Sequence, residues 1–276
     1  MFDTYFSKPC FLSVFLLYLF TMTLNELCKY FNEFLHIEDF PSDPSDNGLQ
    51  VQNSDPAKKQ IKKVAFAVDA CQDSINKAIS QNADLLFVHH GLFWGHSVLL
   101  TKNHYERIAS LVKNDLALFA CHIPLDASKT VGNNYGLAFR LELENLEDFG
   151  LWRGMDIGVK GELKNPLTID EICKKIFKNE EKPNIILDFG KKQIKTVAII
   201  SGGAGDDLDQ AIAANVDLYI TGELGHEQYH LARENNISVI AAGHYNTETV
   251  GVSLVMKKLI KETGIEGVFI DSPTNM

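Results

Sequence analysis

The sequence predicts an α/β fold made of two similar lobes, and an internal repeat is the main reason. Residues 64–90 align with residues 197–223 without a gap. In each stretch, an apolar run rich in β-branched residues is followed by a helical pattern that starts near an aspartate, and then by a second apolar run. Strands that alternate with helices form mostly parallel sheets covered by helices. We therefore expect two α/β lobes from an internal duplication, with a ligand site in the cleft at the carboxyl ends of their strands.

Two further segments extend the repeat. Residues 117–126 align with residues 239–248, and each segment is a strand followed by a histidine and, four residues later, a carboxylate. The first lobe is expected to span 22–127, and a linker with the second lobe to span 128–276. The linker should hold a short strand and a helix of its own. The sequence leaves open whether the C-terminal helix and strand, 249–276, pack on the first lobe.

The N-terminal residues 1–21 are predicted to lie outside the fold. The apolar run 11–20 is too short to span a bilayer and lacks the small-residue cleavage site of a signal peptide. Directly after it, Thr23 and Glu26 have the spacing of a capping box, which predicts that a helix starts there. We interpret 1–21 as an upstream extension or a misassigned start, with the folded chain beginning near Met22.

Charge and cysteine content restrict the function classes. The chain has 276 residues and a formal net charge of −10. This charge disfavours an extended surface for nucleic acid or anionic membranes, because such surfaces need clustered lysine and arginine. The five cysteines are odd in number and scattered, as in a reduced protein without a disulfide framework. We expect a cytoplasmic protein that binds no nucleic acid and does not insert stably into a membrane.

Histidines and carboxylates follow the predicted strands of the first lobe. One strand ends at His89 and His90 and turns at Gly91, so both side chains can face one cavity there, although successive residues inside a regular strand point to opposite faces. His122 follows another strand, and Asp126 comes one turn later. Asp126 can equally be a turn former, since aspartate is common in turns.

The second lobe carries corresponding groups. His244 follows a strand, and Glu248 lies in the first turns of the next helix. Glu223 ends the preceding strand, and His226 follows it. A purely structural explanation is open for Glu248, because an acid at a helix start is stabilised by about 0.3–1 kcal/mol. The glycine-rich stretch 201–209 matches neither common phosphate-loop motif and is interpreted chiefly as a tight turn, with amides that line the cleft as the weaker alternative.

Together these residues are typical of a catalytic two-metal site. Two ions held mainly by three histidines and two carboxylates keep open positions for water or substrate, whereas structural metal sites are closed. Mixed histidine and carboxylate ligation suits Zn, Mn, Fe and Co alike.

Seven motifs carry a resemblance to a known family. They are, in order, DNGLQV, FVHHGLFW, CHIPLDA, GNNYGLA, SGGAG, TGELGH and GHYNTE. From about Met22 to the end, the chain resembles the Nif-like dinuclear metal-centre proteins named GTP cyclohydrolase 1 type 2 homologues. The resemblance implies a duplicated α/β fold, homohexamers and two divalent metal ions per subunit. The implied metal ligands are His89, His90, Asp126, His244 and Glu248, with Glu248 as the bridge.

The same resemblance bears on activity. It makes His122 and His226 near neighbours of the metals and not ligands. One of His122, His226 and Glu223 is expected to transfer protons. The family name implies that the guanine ring of GTP is opened to give dihydroneopterin triphosphate and formate. Hydrolysis of a phosphoester at the same metals and a non-enzymatic metal-handling or regulatory role are the alternatives. The DNGLQV motif is one residue shorter than is usual in the family, in a loop expected to lie away from the ligands.

Overall fold

The computed structural model describes residues 21–177 and 182–276 of the chain, so the predicted extension 1–21 falls almost entirely outside the described residues. The strands are β1 (Met22–Thr23), β2 (Gly48–Val51), β3 (Gln60–Ile61), β4 (Lys63–Asp69), β5 (Leu85–His90), β6 (Ala117–Ala120), β7 (Leu143–Trp152), β8 (Met155–Leu167), β9 (Ile185–Leu187), β10 (Ile194–Ile199), β11 (Leu218–Thr221), β12 (Ser238–Ala241) and β13 (Glu266–Phe269). The helices are α1 (Leu24–Leu35), α2 (Gln72–Ser80), α3 (Lys102–Lys113), α4 (Ile123–Ala127), α5 (Asn133–Leu141), α6 (Ile169–Ile176), α7 (Leu208–Ala213), α8 (Glu227–Glu234) and α9 (His244–Thr263). Within the described ranges, none of these helices is long and apolar enough to cross a membrane.

The first sheet has the strand order β13-β4-β5-β6-β2. Its first four strands are parallel, and β2 is antiparallel at the edge. The strands are nearly continuous apolar runs because helices cover both faces. Phe31 of α1 packs on one face, whereas Ile75 of α2 and Leu111 of α3 pack on the other. The predicted capping box of α1 is confirmed, since Thr23 and Glu26 each accept a hydrogen bond from the other's backbone N–H.

The second sheet has the order β7-β8-β10-β11-β12-β9. Its three central strands, β10, β11 and β12, are parallel, and the outer strands are antiparallel. Both sheets are therefore parallel at the centre, as the repeat predicts, with antiparallel strands added outside. The last strand of the chain, β13, lies in the first sheet beside β4.

The linker holds more strand than its sequence predicts. The short strand expected there is the long β8, which pairs antiparallel with β7 from the segment before it. Arg153 and Gly154 connect them with φ angles of 49° and 85°, which is the left-handed backbone that a two-residue hairpin turn requires. Arginine-glycine is a weaker turn signal than asparagine-glycine, so the sequence alone does not predict the hairpin. The helix predicted in the linker is present as α6, with a capping box at Thr168.

The two aligned stretches form equivalent strand–helix–strand units. Val64 pairs with Leu85 in the first sheet, and Val197 pairs with Leu218 in the second, at the same offset. The shared residues of the repeat thus have the same places in the two parallel strand pairs.

The strand pairing shifts the alignment of residues 117–126 with residues 239–248 by one residue. Cys121 donates its backbone N–H to Val88, and Ala242 donates to Thr221, which is the aligned equivalent of Val88. By strand pairing, His122 therefore corresponds to the residue before His244. The histidine-to-carboxylate spacing of the two segments is the same, but the histidines do not occupy equivalent positions.

Helix α9 lies between the two sheets. Its Tyr245, Val252 and Val255 belong to the core on the first sheet, whereas Val250 belongs to the core on the second. The start of α9 is therefore held against the carboxyl ends of the first sheet's strands.

Candidate metal centre

The five predicted ligands meet around one carboxylate. His89 and His90 end β5, Asp126 lies in α4, and His244 and Glu248 lie in the first turns of α9. The Oε1 atom of Glu248 is 3.4 Å from His89 Nε2 and 3.1 Å from His244 Nε2. Its Oε2 atom is 3.4 Å from His90 Nε2. Asp126 Oδ2 completes the cluster, 3.5 Å from His89 Nε2.

In each histidine of the cluster, the Nδ1 atom, which does not face Glu248, contacts an oxygen atom. The Nδ1 contacts are His89 to the carbonyl oxygen of Cys121 at 2.9 Å, His90 to Asp69 Oδ1 at 2.8 Å, and His244 to Glu223 Oε1 at 2.5 Å. Because a carbonyl or carboxylate oxygen accepts, Nδ1 donates, and the neutral ring keeps its lone pair on Nε2, facing the cluster. Metal-bound histidines are held in the same way, since the oxygen fixes the ring and raises its basicity.

The candidate ligand atoms form three overlapping groups among the described residues. The groups are His89 with Asp126 and Glu248, His90 with His244 and Glu248, and His89 with His90 and His122; within each group the ligand atoms lie within 4.8 Å of one another. Glu248 belongs to both groups that contain a carboxylate. The arrangement can therefore hold a metal ion, and His122 lies within ligand reach as well.

Two buried atoms of the cluster indicate that its residues fit a metal ion. Neither His89 Nε2 nor Glu248 Oε2 has a hydrogen-bond partner within the described chain. His89 is fully buried, and Glu248 is 3% exposed. A buried polar atom without a partner costs about 1–3 kcal/mol, and more when the group is charged. Divalent cations accept lone pairs from histidine nitrogens and carboxylate oxygens, so the residues fit a metal.

The electrostatics of the cluster favour positive charge at its centre. Burial lowers the pKa of His89, but Asp126 and Glu248 outweigh burial and raise that pKa to about 10. Burial likewise lowers the pKa of His244, whereas Glu248 and Glu223 raise it to about 9. Burial raises the pKa of Glu248, yet the adjacent histidines hold it well below its ordinary value. In a metal-free protein protons supply this positive charge, and a divalent cation can replace them.

The glycine-rich loop contacts the cluster directly. Gly202 has a φ of +67°, and a Cβ at this position would lie 2.4 Å from Glu248 Oε1. The adjacent Ser201 donates its hydroxyl to Asp126 Oδ1 at 2.8 Å. The tight turn expected from the sequence is present, and its missing side chain makes room for the Glu248 carboxylate.

The DNGLQV motif lies at the site, contrary to the expectation from sequence. Asn47 Oδ1 accepts the backbone N–H of His122 at 2.7 Å. Asp43 Oδ1, just before the motif, lies 2.9 Å from His122 Nδ1. The expectation was wrong because β2 pairs with β6, which brings the loop before β2 to the end of β6 where His122 lies.

The residues whose carboxylate oxygens contact the Nδ1 atoms of His90 and His122 are not among those predicted from the sequence. Asp69 could have been found, because it is the last residue of β4 and therefore lies at the same sheet edge as His90. Asp43 could not, because it lies in a loop whose path no local pattern indicates.

The remaining two candidates differ in their placement. Glu223 is hydrogen-bonded to His244 at the rim of the cluster. His226 is exposed at the start of α8 and lines a separate cavity of about 440 Å³ with Tyr229 and His230. It belongs to none of the three ligand groups found among the described residues.

Comparison with known proteins gives concordant matches. The family model described as Duf34/NIF3 (NGG1p interacting factor 3) matches residues 22–276. A Treponema pallidum protein named GTP cyclohydrolase 1 type 2 homolog is 45% identical over 289 residues, covering 92% of this chain and all of the relative. An Archaeoglobus fulgidus protein of the same name is 41% identical over 255 residues, with 92% and 100% coverage.

A solved structure agrees with these sequence matches. The crystal structure of TTHA1606 from Thermus thermophilus is 35% identical, with a TM-score of 0.83 and coverage of 92% of this chain and 100% of that one. The resemblance indicated by the seven motifs is therefore confirmed. The chain belongs to the Duf34/NIF3 family.

Proposed function

We propose that this protein is a hydrolase that uses two divalent metal ions, and that it opens the guanine ring of GTP to give dihydroneopterin triphosphate and formate. The observation that carries the metal assignment is the convergence of three histidine Nε2 atoms on Glu248, with His89 Nε2 and Glu248 Oε2 buried and without partners in the described chain. The relatives' name, GTP cyclohydrolase 1 type 2 homolog, supports the substrate.

The ligand groups suggest how the two ions are shared. His89 and Asp126 would hold one ion, His90 and His244 the other, and Glu248 would contact both. Divalent ions bound there would supply Lewis acidity and would lower the pKa of a bound water. Zn, Mn, Fe and Co all accept this donor set.

His122 is the residue that we assign to proton transfer. Its Nδ1 is held by Asp43, and its ring centroid lies 5.1 Å from that of His89 and 5.6 Å from that of His90. Its side chain is 18% exposed, so it can exchange a proton with solvent. Glu223 acts through His244 by fixing its ring, and no step is assigned to His226.

Metal analysis and a formate assay on the same sample test the proposal. Purified protein should hold two divalent ions per chain and release one formate per GTP consumed. Glu248→Gln, which keeps the side-chain shape and removes its charge, should lose bound metal and formate release. Glu234→Gln removes an exposed carboxylate on α8 and serves as the matched control.

The assay also separates the alternatives. Fully loaded protein that releases no formate from GTP contradicts the cyclohydrolase assignment. Turnover of bis(p-nitrophenyl) phosphate by the same sample would then indicate phosphoester hydrolysis, and bound metal without turnover of either compound would indicate a metal-handling or regulatory protein.

Assembly into a homohexamer is proposed on the resemblance. Light scattering of the purified full chain measures the mass in solution, and a monomeric mass would contradict it.

A further inference from the structure

Two consecutive asparagines at the start of α5 are buried although their side chains are polar. Asn133 and Asn134 belong to the GNNYGLA motif, and each is 0% exposed. The nitrogen and the oxygen of both side-chain amides have hydrogen-bond partners within the described chain. A buried amide costs free energy unless it is hydrogen-bonded, so these partners show which parts of the fold the two residues connect.

Asn133 connects a candidate metal ligand to α9. Its Nδ2 donates to Asp126 Oδ1 at 2.8 Å, and its Oδ1 accepts the backbone N–H of Gly251 at 2.6 Å. Because the backbone N–H of Gly251 can only donate, the amide oxygen must face α9 and the amide nitrogen must face Asp126. A Cβ at Gly251 would lie 2.6 Å from Asn133 Oδ1, so α9 has a glycine where the asparagine approaches it.

Asn134 holds the residue that makes a second hydrogen bond to Asp126. Its Oδ1 accepts the backbone N–H of Ser201 at 2.6 Å, and its Nδ2 donates to the carbonyl oxygen of Ile157 at 2.7 Å. The Ser201 hydroxyl donates to Asp126 Oδ1 at 2.8 Å. The backbone from which this hydroxyl reaches the carboxylate is therefore fixed by Asn134.

The two carboxylate oxygens of Asp126 have different environments. Oδ1 accepts hydrogen bonds from both Asn133 and Ser201, whereas Oδ2 lies 3.5 Å from His89 Nε2 and faces the cluster. A carboxylate oxygen has two lone pairs, and both lone pairs of Oδ1 are used by these donors. Oδ2 is therefore the oxygen that can bind a metal ion.

We propose that Asn133 and Ser201 are positioning residues that restrict Asp126 to a single metal-binding oxygen, Oδ2. The proposal rests on the metal binding in the proposed function, but not on turnover of GTP. A carboxylate that bound one ion through both oxygens would occupy two coordination positions. Restriction to one oxygen keeps a position open for water or substrate, as a catalytic metal site requires.

The visible absorption spectrum of bound Co(II) tests this restriction. Ser201→Ala removes one hydrogen bond from Asp126 Oδ1 and keeps the backbone contact with Asn134. With Oδ1 released, Asp126 should bind one ion through both oxygens. The d–d absorption should then weaken, because it reports the coordination geometry of Co(II) and decreases as the coordination number rises. The affinity for Co(II), measured by competition with a chromophoric chelator, should fall about tenfold, as is typical when an outer contact of a metal site is lost.

A second variant and a control accompany Ser201→Ala. Asn133→Ala removes the other donor and should weaken the absorption in the same direction, with circular dichroism to verify folding; Ser201→Ala decides if that variant does not fold. Ser238→Ala is the matched control. Ser238 is also buried, its hydroxyl accepts the backbone N–H of Gly190 at 3.0 Å, and it begins β12, at the strand end away from the cluster.

The proposal is overturned if the Co(II) spectrum of Ser201→Ala is that of the wild type, or if Ser238→Ala changes the spectrum or the affinity as much. Formate release from GTP is measured on the same Co(II)-loaded samples. The expected spectral change without formate release by the wild type counts against the cyclohydrolase activity alone. Formate release with an unchanged Ser201→Ala spectrum counts against the role of Asn133 and Ser201 alone, and a wild type that binds no Co(II) contradicts both.

Discussion

At the residue scale, the oxygen atoms that contact the candidate ligands from outside the cluster fix how those side chains are oriented. His244 is 30% exposed at its side chain, yet its ring is held by Glu223 on one side and Glu248 on the other. His89 is fully buried and is held by a backbone carbonyl oxygen. The candidate ligand set thus depends on groups that carry no sequence motif of their own.

A side chain at Gly202 should displace the central carboxylate. We expect Gly202→Ala to reduce bound metal at least about tenfold, because outer contacts of a metal site are typically worth 10–100-fold in affinity and the new Cβ would lie 2.4 Å from Glu248 Oε1. Gly203→Ala is the control, since its Cβ would meet His244 at an ordinary 3.7 Å. Titration of metal into each metal-free variant, with circular dichroism to verify folding, measures the difference; equal affinities would contradict the assignment.

Removal of the oxygen behind His244 should weaken metal binding without unfolding the chain. We expect Glu223→Ala to lower metal affinity about 10–100-fold, because the ring loses the acceptor that fixes its orientation. Glu223→Gln keeps an accepting oxygen and should recover most of the affinity. If the glutamine variant binds metal as poorly as the alanine variant, Glu223 acts by its charge and not by orienting the ring.

At the element scale, one carboxylate joins neighbouring strands in each half of the repeat. Asp84 accepts two consecutive backbone N–H groups at the start of β4, and Asp217 does the same near the start of β10. Just before them, Asn82 and Asn215 both have positive φ angles, of 53° and 52°, which asparagine tolerates better than most residues. The asparagine and the aspartate that are identical in the two halves of the repeat are thus explained by the backbone structure that they stabilise and not by catalysis.

Loss of the Asp217 carboxylate should destabilise the second sheet in a pH-dependent way. We expect Asp217→Ala to lower the free energy of unfolding by about 1–3 kcal/mol at neutral pH, because two backbone N–H groups lose their charged acceptor. Burial raises the pKa of Asp217, but hydrogen bonds from Lys191 and the backbone outweigh burial and hold it below 3.8. The carboxylate therefore stabilises the fold fully above pH 3.8, and its contribution is lost as the pH falls through the lower, folded-state pKa.

Urea unfolding at pH 7 and at pH 3 measures this difference. The gap between wild type and Asp217→Ala should shrink at the acidic pH. Asp188→Ala is the control, because Asp188 lies in an exposed pair with Lys192 and should change stability little at either pH. A gap of equal size at both pH values would show that the carboxylate charge is not responsible.

At the scale of the whole molecule, the cluster of candidate metal ligands lies where the two large sheets meet. His89, His90 and Asp126 come from the first sheet and its connections, whereas α9 begins directly after β12 of the second sheet. Bound metal would therefore join the end of one sheet to the helix that leaves the other.

Removal of metal should lower the thermal stability of the whole chain. Metal at 100 times its Kd contributes about 2.7 kcal/mol to the folded state, which corresponds to roughly 5–10 °C in Tm for a chain of this size class. We expect EDTA to lower the Tm of the wild type by this amount and to leave the Tm of Glu248→Gln unchanged. A Tm of the wild type that does not respond to EDTA or to added Mn or Zn would contradict metal binding at the cluster.

The sequence by itself determined the local features of this protein. The capping box at Thr23, the strand–helix–strand units of the repeat and the strand that ends at His89 and His90 all depend on residues close together in the chain. The same is true of His244 and Glu248, because four residues on a helix put two side chains on one face. Short-range spacing is sufficient for such features, so these could be predicted without the fold.

Only the tertiary structure decided what depends on strand pairing. Pairing of β13 with β4 assigned the last strand to the first sheet, and pairing of β2 with β6 brought Asp43 and Asn47 to His122. The same long-range contacts formed a cavity of about 670 Å³ between α9 and the segment after β13. Strand order and register are set by contacts between residues distant in sequence, and no periodicity within one segment encodes them.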